Sequence, residues 1–202
     1  MPSRLVLLLV LGLANALVAA ERIRLMSTRP DGTAVPAAYP VISADGRMVG
    51  FNSYDGTLVP GDTNSAMDGF VRDVTTGQIQ RVTVMATGAQ SNGGRVLGLS
   101  ADGRYALFTS DTGLVPGDTN GSPDIFVRDR TTGSIDQASL QPDGGQFPAY
   151  TDASDAAMSD DGRFVAFSRI SNPNARASPT FTCAIAPWLP PPWSADRWTG
   201  VL

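Results

Sequence analysis

Residues 43–77 read SADGRMVGFNSYDGTLVPGDTNSAMDGFVRDVTTG, and residues 100–133 read SADGRYALFTSDTGLVPGDTNGSPDIFVRDRTTG. Three blocks recur in one order: SADGR at 43–47 and 100–104, LVPGDTN at 58–64 and 114–120, and Thr-Thr-Gly at 75–77 and 131–133. Between the last two lie Asp68, Phe70 and Val71-Arg72-Asp73, matched by Asp124, Phe126 and Val127-Arg128-Asp129. A further SDDGR at 159–163 opens a third copy, so the first block is spaced by 57 and 59 residues and the others by 56. Ordered blocks at a near-constant offset mark a repeat architecture.

Each block has a mechanical meaning. Asp-Gly between apolar runs predicts a hairpin, in its tightest form a type I′ turn with positive φ at both central residues. It joins a strand near residues 37–43 to one near 47–53. Thr-Thr-Gly turns a strand at 69–74 back into 80–85. One unit is therefore about four antiparallel strands, with GDTN in the loop between the second and third. Along the second strand, one face carries Val49 and Phe51, Ala106 and Phe108, or Val165 and Phe167. The other carries Met48 and Gly50, Tyr105 and Leu107, or Phe164 and Ala166. Both faces are apolar, so each sheet is expected to lie between neighbouring sheets, as propeller blades do. A two-sheet sandwich is the competing architecture, although sandwiches seldom repeat a whole motif set at fixed spacing.

The ordered pattern S-A/D-D-G-R, apolar strand, D-x-F-V-R-D, T-T-G resembles the TolB-type, WD-like β-propeller repeats of exported bacterial proteins. The resemblance covers residues 22 to about 170 and implies a binding scaffold of four-stranded antiparallel blades. The expected fold is all-β, with units near 37–85, 95–140 and 153–176 inside a repeat region of 21–176. Ile23 to Met26 would be the outermost strand of an incomplete first blade. This is about two and a half blades. A ring closes with four to eight blades, and six at this spacing would need roughly 340 residues.

The two ends read differently. Arg4, the apolar run Leu5 to Leu13 and the small residues Val18-Ala19-Ala20 read as a secretory signal over 1–20, too short to span a membrane stably. Export to the periplasm or medium is the expectation. Residues 177–202 hold all 3 Trp, the only Cys and no repeat block. A coding string compatible with Ala177 to Ala186, read two bases on, gives Glu-Pro-Asp-Ile-Tyr-Val-Arg-Asp-Arg, close to the expected motif at 123–130. The tail thus reads as a frameshift product, expected to be disordered.

Composition narrows the chemistry. Of the charged residues, 15 are basic and 19 acidic, every basic residue is Arg, and there is no His. Without His or Lys, the commonest general base and Schiff-base chemistry are excluded. A net charge of -4 argues against nucleic acid as a partner. No G-x-S-x-G occurs, and no catalytic residue or organic cofactor is indicated. The acidic loops are the best candidate site. Asp62, Asn64 and Asp68, then Asp118, Asn120, Ser122 and Asp124, place oxygen side chains as calcium loops do, although Asp and Asn also build turns without metal. Asp45, Asp102 and Asp161 read as turn formers, and Arg72-Asp73 and Arg128-Asp129 as solvated or interblade pairs of small worth. Two functional readings stand: a non-catalytic exported scaffold for protein or glycan, or the propeller of a larger peptidase or hydrolase whose catalytic domain lies beyond the frameshift.

Overall fold

In the computed structural model, the described residues are 23–141, 143–147, 151–171 and 181–187, the side chains of 151–154, 169–171 and 181–187 excepted. The expected signal at 1–20 lies outside them. The described residues contain no helix, hence none long and apolar enough to cross a membrane.

Among the described residues, eleven strands form three antiparallel sheets. The first holds β1 (Ala38–Ile42), β2 (Met48–Ser53), β3 (Asp68–Asp73) and β4 (Ile79–Arg81), neighbours in chain order. The second repeats this with β5 (Arg95–Leu99), β6 (Tyr105–Ser110), β7 (Asp124–Asp129) and β8 (Ile135–Gln137). The third holds β9 (Thr151–Met158), β10 (Phe164–Ser171) and β11 (Phe181–Pro187), with β10 central. Register repeats as well as order: Phe51 faces Phe70 across β2 and β3, and Phe108 faces Phe126 across β6 and β7. Each phenylalanine pair stacks with ring centroids 5.8 Å apart.

The two apolar faces of a strand enter two different cores. Phe108 and Phe126 pack with Val71, Val82 and Val96 between the first and second sheets, whereas Leu107, Ile125 and Val127 pack with Val165 and Phe167 between the second and third. Covering both faces of the middle sheet is what blades do and what a two-sheet sandwich cannot. The fold is all-β, an incomplete ring of antiparallel blades, two of them four-stranded and the third with three strands among the described residues. Glycine sets how closely the first two blades approach. A Cβ on Gly69 would lie 2.9 Å from the Val96 backbone nitrogen, so a larger residue there would push β5 away.

Four local expectations are corrected. At 43–47 only Gly46 has positive φ, so the Asp-Gly turn is not type I′. Instead Ser43 Oγ donates to Asp45 Oδ1, Asp45 Oδ1 accepts the Arg47 N–H, and the Met48 N–H donates to Ser43 Oγ. These side-chain bonds hold a wider turn that needs one left-handed residue, and Ser100/Asp102 and Ser159/Asp161 repeat them.

Ile23 to Met26 do not form a strand, because no β3 equivalent lies beside them among the described residues. The next residues do match the repeat. Bridges Thr28–Ala34, Val84–Gln90 and Leu140–Gln146 recur at the 56-residue offset.

Within the tail, Phe181–Pro187 pairs with β10 over seven positions instead of being disordered. Backbone hydrogen bonding to the open edge of β10 requires no repeat motif, and Phe-Thr-Cys-Ala-Ile suits a strand. Phe167 there faces Ala184, where the other sheets place Phe against Phe.

Finally, Arg128 is only 4% exposed and is not a solvated pair with Asp129. Its guanidinium donates to the carbonyls of Val82, Val84 and Met85 in the preceding blade and of Gly133 in its own. Arg72 reaches the Thr28 carbonyl in the same way. Asp129 instead pairs with Arg104 of the SADGR turn at 2.7 Å, and Asp73 with Arg47 at 3.1 Å.

Candidate functional site

The GDTN loops pack against the turns that follow β4 and β8. In the first, Asp62 Oδ1 accepts from Gln90 Nε2 at 3.0 Å, and Thr63 Oγ1 donates to Gln90 Oε1 at 2.8 Å. Asn64 closes an Asx turn by accepting the Ala66 N–H and donates to the Ser91 carbonyl at 2.7 Å. Asp68, fully buried, accepts from the Thr83 hydroxyl. The second loop repeats each bond at the 56-residue offset. Gln146 Nε2 donates to Asp118 Oδ1 at 3.2 Å, Thr119 Oγ1 to Gln146 Oε1 at 3.1 Å, Asn120 to the Phe147 carbonyl at 3.2 Å, and Ser139 Oγ to Asp124 Oδ1.

One position breaks the repeat. Arg81, the last residue of β4, places Nη1 3.2 Å from Asp62 Oδ1 and 3.5 Å from Asp68 Oδ2, and its Nη2 donates to the Gly61 carbonyl at 3.1 Å. Its side chain is 7% exposed, so this is a buried ion triad. Arg81 faces Phe70 across the ladder, and the residue facing Phe126 in the second unit is Gln137. Nothing cationic replaces the guanidinium among the described residues there. Asp118 Oδ2 and Gln137 Nε2 are both buried and without a hydrogen-bond partner, while Asn120 Nδ2 donates to Asp124 Oδ2 at 3.1 Å.

Electrostatics follow this arrangement. Burial pushes the Asp68 carboxyl above its ordinary value, against the pull of Thr83 and Arg81. Burial also pushes Asp118 up, and there the Asp124 charge adds to the shift. The sequence pattern brings together Asp62 with Asp68 through Arg81, and Asn120 with Asp124. Asn64 is used as a turn former, and the Ser122 N–H donates to Asn120 Oδ1. Among the described residues, no group of three or more His, Cys, Asp or Glu gathers where it could hold a metal. The roles of Arg81 and Gln137 were missed because they lie outside the loop; aligning the repeats at offset 56 exposes the substitution.

A second feature lies on the first strands of the blades. A depression of about 380 Å³ is lined by Tyr39, Pro40, Val41, Arg95, Leu97 and Asp155 among others. Tyr39 has φ 52, in the left-handed region where a bulky residue is strained, and a bulge interrupts β1 between Ala38 and Val41. Arg95 lies 5.6 Å from its ring. At the offset of 57 that relates β1 to β5, Tyr39 corresponds to Val96 and Arg95 to Ala38, so both depart from the repeat.

No family model matches the chain, and no curated protein does. Among solved structures it is similar to a TolB of Agrobacterium tumefaciens described as putative, with 17% identity and a TM-score of 0.46 over 76% of this chain and 43% of that one. It is also similar to the β-propeller domain of the Trilobed protease from Pyrococcus furiosus, with 12% identity and a TM-score of 0.45 over 74% and 40%. For TolB from Acinetobacter baumannii the values are 19% and 0.32 over 84% and 43%. The chain thus spans less than half the length of each. The architecture, by its own stacked sheets and repeated register, is a run of β-propeller blades.

Proposed function

We propose that these blades are the binding scaffold of an exported protein, taking a protein or glycan partner and performing no catalysis themselves. The observation that carries this reading is the employment of the repeated polar residues. Ser43, Asp45 and Arg47 build a turn and reach Asp73, and Arg128 ties one blade to the next. The repeat chemistry is architectural. Side chains that break the repeat are left for recognition, and Tyr39 and Arg95 at the depression on β1 and β5 are of that kind: an aromatic face beside a guanidinium suits a sugar ring or an acidic peptide.

Reading the coding DNA downstream of codon 176 in the shifted frame tests the proposal. Further blades support a scaffold. A G-x-S-x-G on a strand–turn–helix would instead make these blades the propeller of a peptidase, and labelling of the restored full-length protein by a fluorophosphonate probe would confirm that outcome. In the scaffold case, Arg95→Ala should weaken retention on a glycan or peptide array while the circular dichroism spectrum stays unchanged.

A further inference from the structure

The run of blades is unfinished at both ends, and the two ends are complementary. Between blades, the first residue of each second strand packs onto the glycine of the next blade's Asp-Gly turn. Met48 lies so close to Gly103 that a Cβ there would fall 2.3 Å from Met48 Cγ, and a Cβ on Gly162 would fall 2.4 Å from Tyr105 Cδ2. At the two ends both halves of this contact stand open. Phe164, which follows Met48 and Tyr105 in the repeat, is 43% exposed, and a Cβ on Gly46 would meet nothing within 4 Å. Ile42 is likewise 63% exposed, whereas its counterparts Leu99 and Met158 pack against the two interblade cores.

The outermost strand shows the same fit. Residues 23–25 stand 56 positions before β4 and hold the place of a fourth strand in a blade preceding the first. Arg24 Nη1 donates to the Val74 carbonyl at 2.8 Å, where one repeat later Arg130 Nε donates to Gln80 Oε1 at 3.0 Å. The Thr28 carbonyl accepts from Arg72 as the Val84 carbonyl accepts from Arg128. Among the described residues no third strand lies beside this segment, and Ile23 is 92% exposed. The third sheet has the converse lack: β11 is its edge, with no fourth strand among the described residues.

We infer that two copies of this chain join head to tail, residues 23–25 of each adding as the fourth strand to β11 of the other, and Phe164 of each seating on Gly46 and Ile42 of the other. Each copy then accounts for three blades. Two copies make six, inside the four to eight of a closed ring, whereas one copy has too few and three copies too many. The contact is heterologous, and closure after two copies leaves no free end from which a filament grows. In the first blade Phe70 faces Arg81; by the same register Leu25 of one copy faces Ala184 of the other. This inference is independent of the partner proposed above.

The test is the mass of the full chain in solution, by size-exclusion chromatography with light scattering, followed by directed cross-linking. A species of twice 21.2 kDa is expected. Phe164→Asp should raise its dissociation constant at least about 30-fold, as loss of a buried aromatic anchor does, while circular dichroism keeps the wild-type β spectrum. Facing residues of antiparallel strands lie within disulfide reach. In a Cys183→Ser background, chains carrying Leu25→Cys and chains carrying Ala184→Cys should therefore form a disulfide-linked dimer when mixed under oxidising conditions, and neither should do so alone. A chain that stays monomeric at about 100 μM, above the dissociation constants of standard-size interfaces, overturns the inference. So does a concentration-dependent ladder of larger species, which means contact without closure, and so does a dimer that survives Phe164→Asp and gives no mixed cross-link.

Discussion

The loop at 58–64 and the loop at 114–120 have the same sequence and the same hydrogen bonds to the turn after the fourth strand, yet opposite electrostatics. Asp62 and Asp68 share the Arg81 guanidinium, whereas the residue at the matching place beside Asp118 and Asp124 is the neutral Gln137. The difference shows that a repeated motif does not fix its own chemistry. A residue seventeen positions beyond Asn64, on another strand, decides whether the two carboxylates share a guanidinium or face a neutral amide.

Removing Arg81 should give the largest effect on this comparison. Arg81→Leu leaves two buried carboxylates without a counter-charge, and breaking a buried ion pair in this way costs about 3–5 kcal/mol. Gln137→Leu in the second unit should cost under ~1 kcal/mol, since it removes an amide nitrogen that has no partner. Urea unfolding of the two variants checks the asymmetry, and equal losses would break it.

Next in size are the arginines that tie blades together. Arg128→Met removes charge-assisted bonds to four carbonyls, each charged-group bond contributing about 1.5–3 kcal/mol before the loss of a buried charge offsets part of it. Arg72→Met gives up the single bond to Thr28 and should lose less. A greater loss for Arg72 would contradict the ranking of these two arginines by the carbonyls they hold.

A smaller effect carries a sign. In metal-free buffer Asp118→Asn relieves an unpaired buried carboxylate and should be neutral or stabilising by up to about 1 kcal/mol, whereas Asp62→Asn weakens the bond to Arg81 and should destabilise. Thermal melts with chelator check the opposition.

The smallest concerns pH. The Arg104 guanidinium, before the backbone bonds from Thr131 and Thr132, holds Asp129 down at about 2. A depressed folded value means that this contribution is fully present above the ordinary carboxylate value of 3.8 and is lost as pH falls through about 2. For Asp73 the Thr76 backbone bond is the leading cause and Arg47 a lesser one. Melting profiles between pH 5 and 2 should therefore flatten more in Arg104→Gln than in Arg47→Gln.

The fold was largely legible from residues 43–133 because block order and the two apolar strand faces both require stacked sheets; Phe108 and Leu107 enter the two cores that their alternation assigns them. What escaped were partners far apart in the chain. Arg128 bonds to carbonyls 43 to 46 residues away, and a buried arginine without a carboxylate leaves no sequence signature. The type I′ expectation failed because Ser43 and Asp45 side chains, not backbone alone, close the turn. In the tail, backbone pairing to an open edge does not depend on the motif that the segment lacks.

The most direct measurement of the account is the melting temperature of Gln137→Arg in calcium-free buffer. If the second loop lacks only the cation that the first contains, the new guanidinium should meet Asp118 and Asp124 and raise the melting temperature, by roughly 2–4 °C for each kcal/mol gained. A fall in melting temperature, with the wild-type circular dichroism spectrum retained, would mean that the two loops are not equivalent and would contradict the account.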